Sequence, residues 1–212
     1  MTKVEIPDCD SVAQGIAAFR SHERRDAIYQ TALFLVDHFW GDPGSMANGI
    51  GVLLAVWNQA FYRQTNFSIN LDDLELVIHQ HMAILTGFRG RNILSLDVTD
   101  KQPVITLFDQ MTEALRCDYD SKSGTHIVRY SSVSTAKALH ILAPGFFPLW
   151  DSRIAARYGF SHRIESADTY FRFAELMKIM VERLDGCFPH EQQSVLKLID
   201  EYNYAKYVKR WV

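Results

Sequence analysis

The chain has 212 residues, 48% of them hydrophobic and 22% charged, with a formal net charge of −3 at neutral pH. That length and apolar content support a sizeable core and exclude a disordered or low-complexity chain. The near-neutral balance excludes a protein that coats nucleic acid over its whole surface, although it can conceal a local basic face. Cys9, Cys117 and Cys187 are odd in number and widely spaced, which predicts no zinc site, iron–sulfur cluster or disulfide framework, and from that a reduced, cytoplasmic protein. The N-terminal residues lack a signal-peptide apolar core. The longest apolar run, Ile50 to Trp57, is too short to span a bilayer, so no membrane partner is expected.

In chain order, Ile28, Leu33, Leu35, Val36 and Phe39 recur at helical steps between Asp26 and Trp40, and Gly41-Asp42-Pro43-Gly44 closes that helix. Ser45 is placed to cap a second helix through Arg63 whose stretch Ile50 to Trp57 is apolar on every side, as a central core helix should be. Asn70-Leu71-Asp72-Asp73 opens a third, with acids where the helix dipole favours them, and Gly87-Phe88-Arg89-Gly90-Arg91 breaks it. Asp100 caps Lys101 to Cys117, with Pro103 tolerated in the first turn. Asp118 to Gly124 reads as a turn and Thr125 to Tyr130 as extended, before helical spacing returns from Ser131 to Leu142. Asp151-Ser152 caps a short helix to Tyr158, Ser166 caps Ala167 to Leu184, and His190 to Trp211 supplies the last helix, with Val195, Leu198, Ile199 and Tyr202 inward. The pattern predicts one all-α domain over residues 1–212, a compact bundle of about eight helices, as a single body or as two helical lobes with a cleft between them.

Charge is distributed unevenly along this chain. Between Ser121 and Arg163 stand Lys122, Arg129, Lys137, Arg153, Arg157 and Arg163 against the single acid Asp151, a window of +5 within a remainder of −8. Individually these cations fit solvated helix faces; together they predict a surface that meets a polyanion. The lone acid closes the stretch Ser132-Val133-Ser134-Thr135-Ala136-Lys137-Ala138-Leu139, through Pro144-Gly145-Phe146-Phe147-Pro148-Leu149-Trp150, to Asp151-Ser152-Arg153: a helix, a proline-bounded aromatic turn, and an acid heading the next helix.

That stretch resembles the catalytic portion of the helix-hairpin-helix DNA glycosylases, in which an aspartate heads the helix after the hairpin and serves base excision. Ile50 to Gln59 is similar to the family's apolar early helix, which ends in polar residues beside the DNA, and Phe88-Arg89-Gly90-Arg91-Asn92-Ile93 occupies the place of a short loop. The resemblance spans roughly Asn48 to Tyr158 and implies a DNA partner; no cofactor is expected, and no metal, since no metal-spaced cluster appears. It implies Asp151 as the catalytic carboxylate, which stabilises an oxocarbenium-like sugar and orients the attacking water. Gln59 or Asn58 would stand by the lesion, with Trp57, Tyr62 or Trp150 as pocket walls, and Arg89, Ser132, Ser134, Arg153 and Arg157 on the nucleic acid. Ser132 and Ser134 stand where the family has hairpin-turn glycines, and the preceding segment does not read as helix. Ser134 falls at the position of the lyase lysine, with Lys137 one turn later as a second candidate catalytic group, so water attack is favoured over Schiff-base chemistry.

Every one of these residues has a structural alternative. Asp151 is a good helix N-cap, Trp150, Phe146 and Phe147 suit turn packing, and Lys137 suits a helix face. The competing function is therefore a non-catalytic helical module that binds nucleic acid or protein. His79 and His81 are two apart on a helix and face different ways, so they predict no zinc pair. His126, His140 and His162 fall in the basic window as phosphate contacts or structural groups. The tail from Tyr202 to Trp211 alternates aromatic and basic residues, as a nucleic-acid strip or as the amphipathic end of a last helix.

Overall fold

The computed structural model describes residues 6–65, 68–121, 123–161 and 166–212. Ten α-helices among them make the protein all-α, as the periodicity predicts. Helix α1, Cys9–His22, starts where the Asp8 carboxylate accepts the Ser11 amide at 2.8 Å, and buries Val12, Ile16 and Phe19. It is followed by α2, Asp26–His38, and α3, Pro43–Trp57. Pro43 opens α3 in the first turn, where a missing N–H costs nothing, and Ser45 bonds the flanking Asp42 carboxylate at 2.6 Å instead of capping. The expected helix from Ser45 to Arg63 is broken at Asn58, and the short α4, Gln59–Gln64, follows.

Helix α5, Leu71–Arg89, runs through Gly87 rather than stopping before it, and Asn70 caps its start. After two 3₁₀ turns, Ile93–Ser95 and Val98–Asp100, comes α6, Lys101–Ala114. The extended reading of Thr125 to Tyr130 is correct: β2, His126–Arg129, pairs antiparallel with β1, Cys117–Asp120, which replaces part of the expected turn and the end of the preceding helix. The chain continues with α7, Ser132–Leu142, α8, Ser152–Arg157, α9, Ala167–Arg183, and α10, Val195–Asn203. The last helix starts later than expected, at its Ser194 cap, and loosens after Asn203 into a π-helical turn, Tyr204–Lys209.

The central helix is α7, not α3. Every α7 residue from Ser134 to Leu142 is buried, whereas Val52 on α3 is 42% exposed and leaves that helix an open side. Helices α2, α3 and α6 pack around α7, α5 lies against α3 and α6, and α9 against α6. On the far side α1 packs on α10, and the contact is close at Gly15. A Cβ there would meet Tyr202 Cδ2 at 2.6 Å and its Cα at 2.9 Å, so glycine sets how near α10 comes to the bundle.

The cysteine expectation is overturned. Cys9 and Cys187 form a disulfide with Cα atoms 5.7 Å apart, joining the start of α1 to the loop after α9. The two residues are 178 positions apart, so their pairing leaves no local spacing signal. The argument from unpaired cysteines to a reduced compartment falls with it. No helix among the described residues is long and apolar enough to cross a membrane.

Candidate active-site cavity

Burial of Lys137 starts the site. As the sixth residue of a helix enclosed by its neighbours, it is largely buried, and its Nζ donates to the Trp57 carbonyl at 2.6 Å. That carbonyl ends α3, where the helix dipole is negative and a cation is favoured. Burial pushes the ammonium down to a pKa of about 8, against the opposing pull of Asp151 and Asp200. Asn58 fixes the same junction: its Nδ2 donates to Ser131 Oγ at 2.9 Å and to Ser134 Oγ at 2.6 Å. The end of α3 is thereby tied to the start of α7.

Around this junction lies a cavity of about 470 Å³. Asn58, Gln59, Lys137, Asp151 and Arg153 line it together, so five residues singled out in the sequence meet at one place. Trp57 and Trp150, two of the three expected walls, line it as well; the third, Tyr62, is buried with its hydroxyl on Ser134 at 3.0 Å. The Trp150 indole N–H is buried and has no hydrogen-bond partner among the described residues.

Asp151 holds two positions at once. Its Oδ1 accepts the Arg153 amide at 2.8 Å and the Ile154 amide at 3.3 Å, capping α8, as expected of an aspartate in that place. Its Oδ2 has no hydrogen bond among the described residues, in a side chain that is only partly buried and lines the cavity. Cap and cavity carboxylate are therefore compatible roles.

A second carboxylate arrives from the C-terminal helix. Asp200 lines the cavity and makes no side-chain hydrogen bond or ion pair among the described residues. Burial pushes its pKa up to about 7, a shift that Asp151 and Glu201 reinforce and Lys197 and Lys137 oppose. Sequence reading did not find it: on α10 it is one polar residue between buried Ile199 and Glu201, and only tertiary packing brings it to the same cavity as Asp151. Glu23 and Arg25 complete the ionisable lining. Arg25 grips Glu23 through two bonds of 2.8 and 2.6 Å, which holds the Glu23 carboxyl down at about 2, and also donates to Tyr204 Oη at 2.8 Å. The cavity is thus of mixed charge rather than positively lined.

The other predicted contacts are dispersed. Ser134 is fully buried and its hydroxyl is taken by Asn58 and Tyr62, so it cannot reach a phosphate. Ser132 lines a neighbouring groove with Arg129 and Tyr130. Arg89 stands away from the cavity: it pairs with Asp37, donates to the Leu142 carbonyl at 2.6 Å and lies 4.1 Å from the Trp40 ring centroid. It joins α2, α5 and the end of α7, a structural use that explains its position. Arg153 and Arg157 are exposed. Lys122, His162 and Arg163 lie outside the described residues.

His140 is structural. Its Nδ1 donates to the Phe147 carbonyl at 2.7 Å, its Nε2 accepts from Tyr29 Oη at 3.0 Å, and burial lowers its pKa to about 4. His126 pairs with Asp120 at 3.3 Å on the hairpin, and His22 stacks on Trp211 in the aromatic tail. His81 bonds Gln110 on α6, and no group of His, Cys, Asp and Glu among the described residues is gathered to hold a metal. No family model, curated protein or solved structure matches this chain.

Proposed function

We propose that the protein is a DNA glycosylase-like hydrolase that removes a damaged or modified base by cleaving its N-glycosidic bond, as a base-excision step. The observation that carries this reading is the meeting of Asp151, Asp200 and Lys137 in one aromatic-walled cavity of about 470 Å³. Two carboxylates with different surroundings suit acid–base cleavage of a glycosidic bond. The target base leaves the stack and enters between Trp57 and Trp150, with Gln59 at the rim and the unpartnered indole N–H of Trp150 as a donor to it.

In the reaction, the C1′–N bond breaks and its electron pair stays on the base nitrogen. Asp200, protonated in part near neutrality, gives that nitrogen its proton. The Asp151 carboxylate offsets the positive charge that builds on the sugar and takes a proton from the water whose oxygen bonds to C1′. The products are an abasic sugar and the free base; the proton gained by Asp151 and lost by Asp200 exchange with solvent. Lys137 lines the cavity with both carboxylates, and each of them favours its charged form.

The capping bonds of Asp151 Oδ1 favour a second reading, a non-catalytic helical binding module. Duplexes carrying deaminated, oxidised or alkylated bases distinguish the two. Abasic sites formed by wild type on at least one duplex support the hydrolase; salt-dependent duplex binding with no abasic product on any of them supports the module.

A further inference from the structure

A separate cleft of about 470 Å³ opens beside the cavity, lined by Arg153, Ala156, Arg157, Tyr207, Val208 and Arg210. Arg153 and Val208 also line the cavity, so the two are contiguous. Three guanidinium groups border the cleft, its lining contains no acid, and none of the three arginines forms an ion pair among the described residues. Arg153 and Arg157 are four apart on α8 and so share a helix face, where like charges repel unless an anion is present. The Arg157 guanidinium lies 5.7 Å from the Tyr207 ring centroid, which gives the cleft one aromatic wall.

Arg210 reaches the cleft by an unusual backbone. The π-helical turn ends on it in the left-handed region, with φ 57° and ψ 45°, the one non-glycine residue with positive φ among those described. That residue closes the turn, with the Trp211 amide donating to the Ala205 carbonyl at 2.9 Å, and so fixes where the Arg210 side chain leaves the backbone.

We infer that Arg153, Arg157 and Arg210 form a phosphate-binding subsite that holds a backbone phosphodiester of the nucleic-acid strand next to the nucleotide in the cavity. The inference rests on the proposed function for the identity of the strand, and on the cleft alone for its affinity for phosphate. Three arginines without acids suit phosphate oxygens, which accept from the guanidinium fork. The subsite explains why the mixed-charge cavity needs no positive lining of its own: the cations that bind the strand stand beside the chemistry, not within it. It also gives the aromatic–basic tail a specific part, through Arg210 and Tyr207.

The test uses the full chain and an undamaged fluorescent duplex, with binding followed by anisotropy across a series of KCl concentrations. Arg210→Gly removes the guanidinium while accepting the backbone, so its melting temperature should be no lower than wild type. Its Kd is expected to rise about 3- to 10-fold, and the slope of log K against log salt to fall by about 0.9, the loss of one phosphate contact. Arg210→Lys should restore most of the slope. Arg210→Asn, also tolerant of that backbone, serves as the second variant and should show the same loss as glycine. Arg210→Gly with wild-type Kd and slope, alongside Arg157→Gln that weakens binding, would remove Arg210 from the subsite and overturn the inference, leaving the proposed function standing. A wild-type chain with no salt-dependent duplex binding would overturn both. Single strands with and without a 5′-phosphate separate the sources of phosphate: equal affinities support the backbone diester, and a preference for the phosphorylated end that Arg210→Gly abolishes would contradict it.

Discussion

Helix α10 borders two charged regions that are built on opposite terms. On one side Lys197, fully buried, pairs with Glu201 at 2.6 Å and with Asp26 at 3.0 Å, and its ammonium lies 4.5 Å from the Phe19 ring centroid and 4.8 Å from that of Tyr29. Arg20 extends the network to Glu201 and Glu191. One residue away, Asp200 turns to the cavity without a hydrogen bond or ion pair among the described residues, and beyond it three arginines border a cleft without an acid. Charges that hold the fold are matched within the chain, because an unmatched buried charge costs several kcal/mol. Charges left unmatched at a cavity are open to a ligand, and the proposed function gives them one.

The contrast yields predictions of decreasing size. Asp151→Asn should lower base excision by at least ~10³-fold, as expected when a charge-stabilising group is lost. Its melting temperature should stay near wild type, because asparagine caps a helix as well as aspartate. Excision rate and thermal unfolding, measured on one preparation, check both parts. Lys197→Met should destabilise the chain by about 3–5 kcal/mol, since Glu201 and Asp26 are left buried without their cation. Denaturant unfolding reads the loss, and the double variant Lys197→Met/Glu201→Leu should recover much of it.

Asp200→Asn separates the two regions most sharply, since it should slow excision about 10²-fold while making the protein more stable. The sign follows from its raised pKa. The fold holds the Asp200 proton more tightly than the unfolded chain does, so this group's contribution is most favourable below its ordinary value of 3.8 and declines as pH rises to about 7. Asparagine removes that penalty. At pH 8 the variant should melt roughly 2–8 °C higher, for about 1–2 kcal/mol after solvent screening, and at pH 4 it should melt with wild type. In the wild-type protein, excision should fall as pH rises through about 7, and that limb should vanish in Asp200→Asn. Arg89→Ala gives the smallest effect on function: a loss of about 2 kcal/mol of stability through its bonds to Asp37 and the end of α7, with the salt dependence of duplex binding unchanged. A reduced slope in that variant would return Arg89 to the binding surface.

Much of the fold was legible because local chemistry specifies it. Asp151, Ser166 and Asn70 each cap the helix they precede, and apolar spacing located α2, α6, α7 and α9 to within a few residues. The break at Asn58 was not legible, because Ile50 to Arg63 continues a helical pattern and the break serves bonds to Ser131 and Ser134, some seventy residues on. Asp151, Lys137, Asn58, Gln59 and Arg153 could be found from their order and charge. Asp200 and Arg210 could not: one is an ordinary polar position on an amphipathic helix, and the other depends on a π-helical turn ending in a left-handed residue. The Cys9–Cys187 pair escaped for the same reason, as contact between residues so far apart is a property of packing and not of spacing.

The central claim is that Asp151 is a reacting group and not only a cap. The most direct test is single-turnover excision by wild type and Asp151→Asn on the modified duplex that wild type processes, with binding of both proteins to that duplex measured alongside. The account predicts that Asp151→Asn binds with wild-type affinity and leaves the base in place. Excision by Asp151→Asn at the wild-type rate, or no abasic product from wild type on any modified duplex, would contradict it.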